Sequence, residues 1–512
     1  MQLRVRHIAR NVMSNWLATA ANMVVSFFLA PFVVRHLGTV AYGVWVLAIS
    51  AVNYLGLLDL GMRSYVLRYV ARGQTQGDHQ AASDAMSATL WVRLQISAVV
   101  LLLSGTLAVA FPYMFRIPPE LANDARIAVM VIGFNMAFSM SVGVFGGVVS
   151  GLNRYDLQSV VTLIQLAIRA TGVILVLRGG YGIVAIALAE CVAAIVANSI
   201  LSVIARRLYP ELKIRLTWPE RQVLRQLWSY SWYAFLITIA VQLVYQTDNL
   251  VVGAFVSAAA VTYYSIGNSL CRYTDQLVGA MTVTFVPAAS TYEAAGDTSR
   301  LMGLYRHGTR ALMSVSLPVL VTLMTRGKTF IGLWMGPQFA RVSGTVLMIL
   351  TTALFFSMSN NTASAIAFGV EKHRYIAKWA IFEAIANLSL SIILAHRFGI
   401  YGVAIGTLIP SLFVHLFLWP MLFSRILGLG GAKVVWGVWG PMFLAAVPFA
   451  IASYAMNVLL PPSNLIVFFL QTFALLPLFY LAVAAMFRVY VRDQVLPQVR
   501  SRVRSIFVGA TR

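Results

Sequence analysis

The sequence predicts an all-α integral membrane protein with about fourteen transmembrane helices, and three observations lead to this fold class. Hydrophobic residues fill 60% of the 512 positions, charged residues only 11%, and the mean hydropathy is +0.80. A soluble protein of this length carries roughly a quarter charged residues, because water covers its surface. Apolar stretches long enough to cross a bilayer recur along the chain. Basic residues collect in alternate breaks between them, as in cytoplasmic loops of membrane proteins.

Each apolar stretch is taken as one span. In the first half, the spans are 12–34, 41–58, 85–111, 125–150, 158–177 and 182–204. In the second half they are 231–255, 261–287, 311–333, 344–368, 376–396 and 401–424, followed by a pair at 435–458 and 465–487. The distribution of Lys and Arg places both termini in the cytoplasm.

The strong positive charge does not indicate a nucleic-acid-binding protein. The net charge is +22, from 38 Lys and Arg residues against 16 Asp and Glu residues. In a soluble chain this excess would favour nucleic acid. In a membrane protein, basic loops that contact anionic headgroups explain it.

An internal repeat predicts two six-helix lobes with pseudo-symmetry. Tyr155 and Tyr375, and likewise Tyr181 and Tyr401, are 220 positions apart (375 − 155 and 401 − 181). Such parallel repeats are related by an axis along the membrane normal. The predicted domains are an N-terminal lobe at 1–205, a basic cytoplasmic linker with an amphipathic helix at 206–230, a C-terminal lobe at 231–424, and an extra helix pair with a basic cytoplasmic tail at 425–512.

Polar side chains form stripes along three of the predicted helices. Residues that recur every three or four positions share one helix face, and lipid cannot satisfy a polar face. Such a stripe lines either water or another helix, and both interpretations stay open for the neutral positions. The candidate substrate-binding residues are Asn22 on the first helix, Gln242, Asp248 and Asn249 on the seventh, and Asn268, Arg272, Asp275 and Gln276 on the eighth.

Charged and titratable residues give further candidates. Arg63 and Arg68 lie near the predicted cytoplasmic mouth of the cavity. Arg169 and Glu190 lie equally deep on neighbouring helices, so we expect a structural ion pair between them. Asp248 and Arg272 are also hypothesised to meet, with the arginine shared between carboxylates and a bound pyrophosphate. Arg93, Glu383 and His415 are weaker candidates within predicted spans.

Three motifs carry a family resemblance, and the segments 331–336 and 398–403 fit it too. The segments 30–43, 58–62 and 245–253 (APFVVRHLGTVAYG, LDLGM and YQTDNLVVG) resemble the polysaccharide flippase family, which shares a superfamily with the MATE multidrug exporters. The resemblance implies a protein of the bacterial inner membrane that flips an undecaprenyl-pyrophosphate-linked oligosaccharide by alternating access, for O-antigen or exopolysaccharide biosynthesis. It implies no enzymatic activity and no cofactor beyond H⁺ or Na⁺ as candidate coupling ions. Its implied partners are the lipid-linked substrate, membrane lipids, and candidate polysaccharide polymerase and chain-length proteins.

Two alternatives remain. A MATE-like, cation-coupled multidrug exporter would suit an acidic interior, and acids slightly outnumber arginines within the predicted spans. A membrane-embedded assembly subunit would need a large outside loop, and the longest predicted one, near 112–124, is short. No phosphate-binding loop, nucleophile elbow or metal-ligand cluster supports an enzyme.

Overall fold

The computed structural model describes residues 2–59, 62–216, 246–427 and 432–490, together with 218, 221, 225 and 242. The predicted amphipathic helix of the linker, most of the seventh span and the basic tail lie outside these residues. Throughout the described ranges the secondary structure is helical, without strands.

Within the residues that the structure describes, the first half contains eight α-helices. These are α1 Gln2–Leu55, α2 Arg63–Gln76, α3 His79–Met114, α4 Pro119–Val142, α5 Val144–Gly151, α6 Tyr155–Arg178, α7 Ile183–Leu208 and α8, residues 246–255.

In the described part of the second half, ten α-helices follow. These are α9 Ala258–Thr282, α10 Phe285–Ala294, α11 Thr298–Met335, α12 Pro337–Ala340, α13 Val342–Met358, α14 Asn361–Gly369, α15 His373–Phe413, α16 Trp419–Leu427, α17 Ala432–Leu459 and α18 Leu465–Tyr490. A short π-helical segment, Val414–Leu418, joins α15 to α16.

Ten helices of the described chain are long and apolar enough to cross a membrane. Two of these, Met13–Asp59 and Ile376–Phe423, have 47 and 48 residues, more than twice the roughly 20 that one crossing needs. Each is interrupted by a glycine with positive φ, Gly38 at 78° and Gly399 at 55°. Each therefore holds two crossings, and the segments α8 and α9 correspond to the predicted seventh and eighth spans. The predicted fold class is confirmed.

The chain divides into two compact units. The first contains Met1–Ser265 and Ala384–Val403, and the second contains Ile266–Glu383 and Ala404–Arg512. In the first unit, apolar side chains of α2, α3 and α5 form one buried cluster. In the second, a larger cluster is built around the fully buried Trp439 of α17. The predicted lobe boundaries stay a prediction.

The same order of elements occurs twice along the chain. Asp78 caps α3 by accepting a hydrogen bond from the Ala81 amide at 3.1 Å, and Asp297 caps α11 by accepting one from the Arg300 amide at 2.9 Å. The two caps are 219 positions apart (297 − 78). A short helix precedes each long capped helix, and a proline-initiated helix follows each. The repeat seen in the sequence is therefore present in the helix order.

Candidate functional site

A cavity of about 470 Å³ with several polar lining residues lies within the first unit. This volume is in the range of cavities that bind small molecules. Helices α2, α3, α4, α5, α6 and α7 and the end of the first long segment surround it. Its polar lining consists of Asp59, Arg63, Arg93, Ser139, Gln158, Thr162, Gln165 and Asn198.

Glycines make room for the arginine at one end of the cavity. Gly143 interrupts the helix between α4 and α5, and α5 packs against α2. A Cβ on Gly146 would stand 3.2 Å from Arg63 Nη2, and a Cβ on Gly147 would stand 3.2 Å from the Arg63 carbonyl oxygen. Arg63 also donates a long hydrogen bond, 3.4 Å, to Ser150 Oγ. The glycines therefore let α2 approach α5 closely and leave the Arg63 guanidinium at the cavity wall.

A buried ion pair stands beside Arg63. Arg93 Nη2 lies 2.5 Å from Asp59 Oδ1, and the Arg93 side chain is only 3% exposed, against 31% for Asp59. Arg93 Nη1 donates a second hydrogen bond, 2.9 Å, to the Met140 carbonyl oxygen. A buried guanidinium needs such partners, because water no longer solvates it.

The charge balance of this end of the cavity is positive. Asp59 is paired with Arg93, and Arg63 adds a second cation, so two arginines face one carboxylate. Burial lowers the pKa of the Arg63 guanidinium from its ordinary value, while Tyr155 and Asp59 act in the opposite sense. An arginine remains charged despite such a shift. The site can attract an anionic group.

Neutral hydrogen-bonding groups line the rest of the cavity. Gln158 Oε1 accepts a hydrogen bond from Ser150 Oγ at 2.7 Å. Asn198 Nδ2 donates to the Ala194 carbonyl oxygen at 2.9 Å and to Ser139 Oγ at 3.4 Å. Gln165 forms no hydrogen bond with the described part of the chain, so its amide remains available to a ligand.

Of the predicted substrate-binding residues, Arg63 lines this cavity. Arg68 is exposed on α2, and Asn22 is half-buried on α1. Gln242, Asp248 and Asn249 instead form hydrogen bonds within the first unit. Gln242 Nε2 donates to the Asn53 carbonyl oxygen at 2.8 Å, Asn249 Nδ2 to Ser50 Oγ at 3.1 Å, and Asp248 Oδ2 accepts from the Tyr264 hydroxyl at 2.5 Å.

The predicted residues of α9 belong to the second unit. Asn268, Arg272 and Asp275 are half-buried and Gln276 is exposed. Asp248 belongs to the first unit, and the hypothesised contact between Asp248 and Arg272 stays a prediction.

Two further ion pairs are formed by residues of the membrane-spanning helices. Arg169 Nε lies 3.2 Å from Glu190 Oε1, so the structure brings the predicted pair together. In the second unit, His415 Nε2 lies 3.6 Å from Glu383 Oε1, and the Asn360 side chain contacts the His415 ring and carbonyl oxygen. His415 is therefore not alone among apolar neighbours.

Sequence reasoning missed part of the cavity. In the sequence Asp59 stands out only as a member of a motif, and the predictions for α6 and α7 name Arg169 and Glu190 but none of the residues that line the cavity. The signal was present on α6, because Gln158, Thr162, Gln165 and Arg169 recur at steps of four, three and four. Helix phase could not identify Asp59 as the partner of Arg93, because the two residues lie on different helices. Among the described residues, no cluster of three His, Cys, Asp or Glu side chains could hold a metal ion.

Comparison with known proteins places the chain in a family. A family model described as polysaccharide biosynthesis protein matches residues 8–293, more than half of the chain. The chain belongs to this family. It is also similar to an uncharacterized membrane protein, EpsK, of Bacillus subtilis strain 168, with 23% identity over 86% of this chain and 88% of that protein.

Solved transporter structures share the fold. Lipid II flippase MurJ in an inward closed conformation has a TM-score of 0.73 at 13% identity, covering 95% of this chain and 99% of MurJ. An inward-facing MATE family multidrug transporter of the MOP superfamily has a TM-score of 0.66 at 16% identity, covering 80% and 95%. A mutant of the Vibrio cholerae MATE transporter VcmN has a TM-score of 0.62 at 14% identity, covering 84% and 98%. The chain is thus a multi-pass membrane protein with the fold of MATE transporters and MurJ.

Proposed function

We propose that this protein flips an undecaprenyl-pyrophosphate-linked oligosaccharide across the bacterial inner membrane for O-antigen or exopolysaccharide biosynthesis. The family supports a role in polysaccharide biosynthesis, and the fold is shared with flippases and exporters. In this proposal both termini are cytoplasmic, and alternating access exposes the cavity first to one side of the membrane and then to the other. Coupling to H⁺ or Na⁺ belongs to the same proposal.

The observation that carries the proposal is the cationic end of the cavity in the first unit. Two arginines face one carboxylate, and Asp59 already pairs with Arg93. Arg63 thus remains as the cation that can receive a pyrophosphate. Its planar guanidinium matches two phosphate oxygens at once, and such charge-assisted hydrogen bonds are roughly twice as strong as neutral ones. The lipid tail would stay in the bilayer.

The alternative function is a MATE-like exporter of small cationic compounds. The shared fold supports it. A cation would need an acidic cavity, however, and arginines exceed acids in this one. The flippase is therefore the better-supported proposal.

Complementation of a deletion strain tests the role of Arg63. We expect Arg63→Ala to reduce surface polysaccharide at least tenfold, because a hydrogen bond to a charged group contributes about 1.5–3 kcal/mol. The deletion strain should accumulate the lipid-linked saccharide. Arg63→Lys should give an intermediate result, since it keeps the charge and loses the planar fork.

Arg178→Ala provides the matched control, because Arg178 ends α6 and is exposed outside the cavity. It should complement fully. Full complementation by Arg63→Ala at normal protein level would contradict the proposed phosphate contact. Unchanged lipid-linked saccharide in the deletion strain, together with increased sensitivity to cationic drugs, would favour the exporter.

A further inference from the structure

A polar wall continues from the cavity along α6 and α7. On α6, Arg169 follows Gln165 by four residues and lies on the same helix face as Gln158 and Thr162. From Gln158 to Arg169 the face rises about 16 Å, at 1.5 Å per residue. On α7, Glu190 and Asn198 are two steps of four apart and share a face. The ion pair Arg169–Glu190 thus extends the two polar faces that line the cavity.

The exposed apolar residues lie on the opposite side of both helices. On α6, Val160, Ile164 and Leu175 are exposed, and at 3.6 residues per turn they lie away from the polar face. On α7, the exposed residues Leu188 and Val192 likewise lie away from Glu190. The apolar sides are suited to lipid. The Arg169–Glu190 ion pair, 35% and 27% exposed, lies on the helix faces that carry the cavity-lining residues and not on these apolar sides.

The Arg169–Glu190 ion pair is a single contact without an aligned hydrogen bond. Arg169 Nε lies 3.2 Å from Glu190 Oε1. The geometry of this contact is not that of a hydrogen bond, so Arg169 Nε has no hydrogen-bond acceptor. A structural pair in a membrane is normally satisfied by well-aligned hydrogen bonds. Gln165, one turn away, also has no hydrogen bond with the described chain. The Gln165 amide thus remains available to a ligand on this wall.

The chemistry of the wall differs from that of the Arg63 end. Arg169 and Glu190 cancel in charge, and the other wall residues are neutral amides and a hydroxyl. A carboxylate would repel a phosphate, whereas it accepts hydrogen bonds from hydroxyl groups. Amides and guanidinium groups supply donors for the same kind of ligand. A surface of alternating donors and acceptors, without net charge, fits the hydroxyls of a carbohydrate.

We infer that the face of α6 and α7 formed by Gln158, Thr162, Gln165, Arg169, Glu190 and Asn198 is a carbohydrate-binding wall. It contacts the sugars next to the pyrophosphate, while Arg63 holds the pyrophosphate. This inference rests on the proposed function, and it assigns Arg169 and Glu190 a role in binding and not only in packing. Sites that hydrogen-bond hydroxyl groups discriminate strongly against ligands that lack them, so this wall would select among saccharides.

The test measures binding of two probes to the purified full-length protein in lipid nanodiscs. One probe is undecaprenyl diphosphate, which has no sugar. The other is the lipid-linked saccharide fraction extracted from the deletion strain. Gln165→Met replaces the amide with an apolar side chain of similar length. The exchange Arg169→Glu with Glu190→Arg keeps the ion pair and the net charge but reverses the order of donor and acceptor.

We expect Gln165→Met to weaken binding of the saccharide-bearing lipid about three- to tenfold, the effect of one neutral hydrogen bond. The exchanged pair should weaken it at least tenfold, because its hydrogen bonds involve charged groups. Binding of undecaprenyl diphosphate should stay unchanged in both. Thr171→Ala, on the exposed apolar side of α6, is the control and should bind both probes like the natural sequence.

Wild-type binding of the saccharide-bearing lipid by both variants would overturn the inference, and so would equal weakening for both probes. If the exchanged variant does not insert into the membrane, the binding measurements on Gln165→Met alone test the inference. Arg63→Ala separates the two proposals, because it should weaken both probes. If it weakens neither, the phosphate site of the proposed function fails, and the carbohydrate wall is still judged by its own variants.

Discussion

The two halves of the chain run through the same order of helices but fill one equivalent position differently. In the first half, Asp59 and Arg93 form an ion pair beside the cavity. The residues 219 positions later, the spacing of the two aspartate caps, are Val278 and Leu312. These two are fully buried members of one apolar cluster that also contains Met358. A charged pair in one half thus corresponds to an apolar contact in the other.

This difference shows which residues the fold requires and which residues the site requires. The second half builds the same helix order with apolar side chains, so the architecture itself does not require charge at this position. A buried ion pair commonly contributes no more to stability than apolar residues of similar volume. Asp59 and Arg93 are therefore best explained by the cavity that they line.

The first prediction concerns a variant in which Asp59 and Arg93 are replaced by the residue types of Val278 and Leu312. The double variant Asp59→Val with Arg93→Leu should insert and keep a thermal stability in detergent within about 1 kcal/mol of the natural protein. It should nevertheless lose at least tenfold in surface polysaccharide, because the cavity loses its charges. Normal polysaccharide from a stable double variant would show that the comparison says nothing about function.

The single variants sharpen this comparison. Asp59→Val leaves Arg93 buried without its carboxylate and should destabilise the protein by about 2–3 kcal/mol. This is below the range for fully buried pairs, because the Asp59 side chain is 31% exposed. Thermal unfolding in detergent measures the loss, and adding Arg93→Leu should restore most of it. A single variant as stable as the double would mean that the ion pair does not form.

A second prediction concerns the glycines beside Arg63. Gly146→Val should push the guanidinium from its place, since even a Cβ would stand 3.2 Å from Nη2. We expect surface polysaccharide to fall about three- to tenfold, as for the loss of one hydrogen bond. Gly303→Val in the second half is the control, because a Cβ there meets no atom within 4 Å. Equal loss in both variants would indicate a general effect of valine on helix stability.

The smallest effect is expected from the buried arginine of the second half. Arg326 is 1% exposed, its guanidinium lies 4.5 Å from the Phe468 ring, and it donates to Gln471 Oε1. In the described chain it has no carboxylate partner, and its Nε and Nη1 have no hydrogen-bond acceptor. Arg326→Met should change stability by less than about 1 kcal/mol and leave polysaccharide production unchanged. Loss of polysaccharide from a stable variant would place a functional cation in the second half as well.

The sequence by itself determined the fold class, most of the spans and the repeat. Their causes are local: the length of an apolar stretch, the period of a helix, and the aspartates that cap α3 and α11. It also predicted that Arg169 and Glu190 lie at the same depth, because depth follows from distance to a shared turn. For Gln242 and Asn249 it left two interpretations open, and the structure shows hydrogen bonds to α1.

Tertiary structure alone decided which polar faces meet. Asp59 and Arg93 are 34 positions apart (93 − 59) on separate segments, and helix phase cannot say which neighbour each will face. That choice depends on the close approach of α2 to α5 at the glycines, and so on packing. A helical period specifies the direction of a side chain from its own axis. The identity of the residue that it contacts depends on where the other helices lie, and for this reason the cavity became visible only in the folded chain.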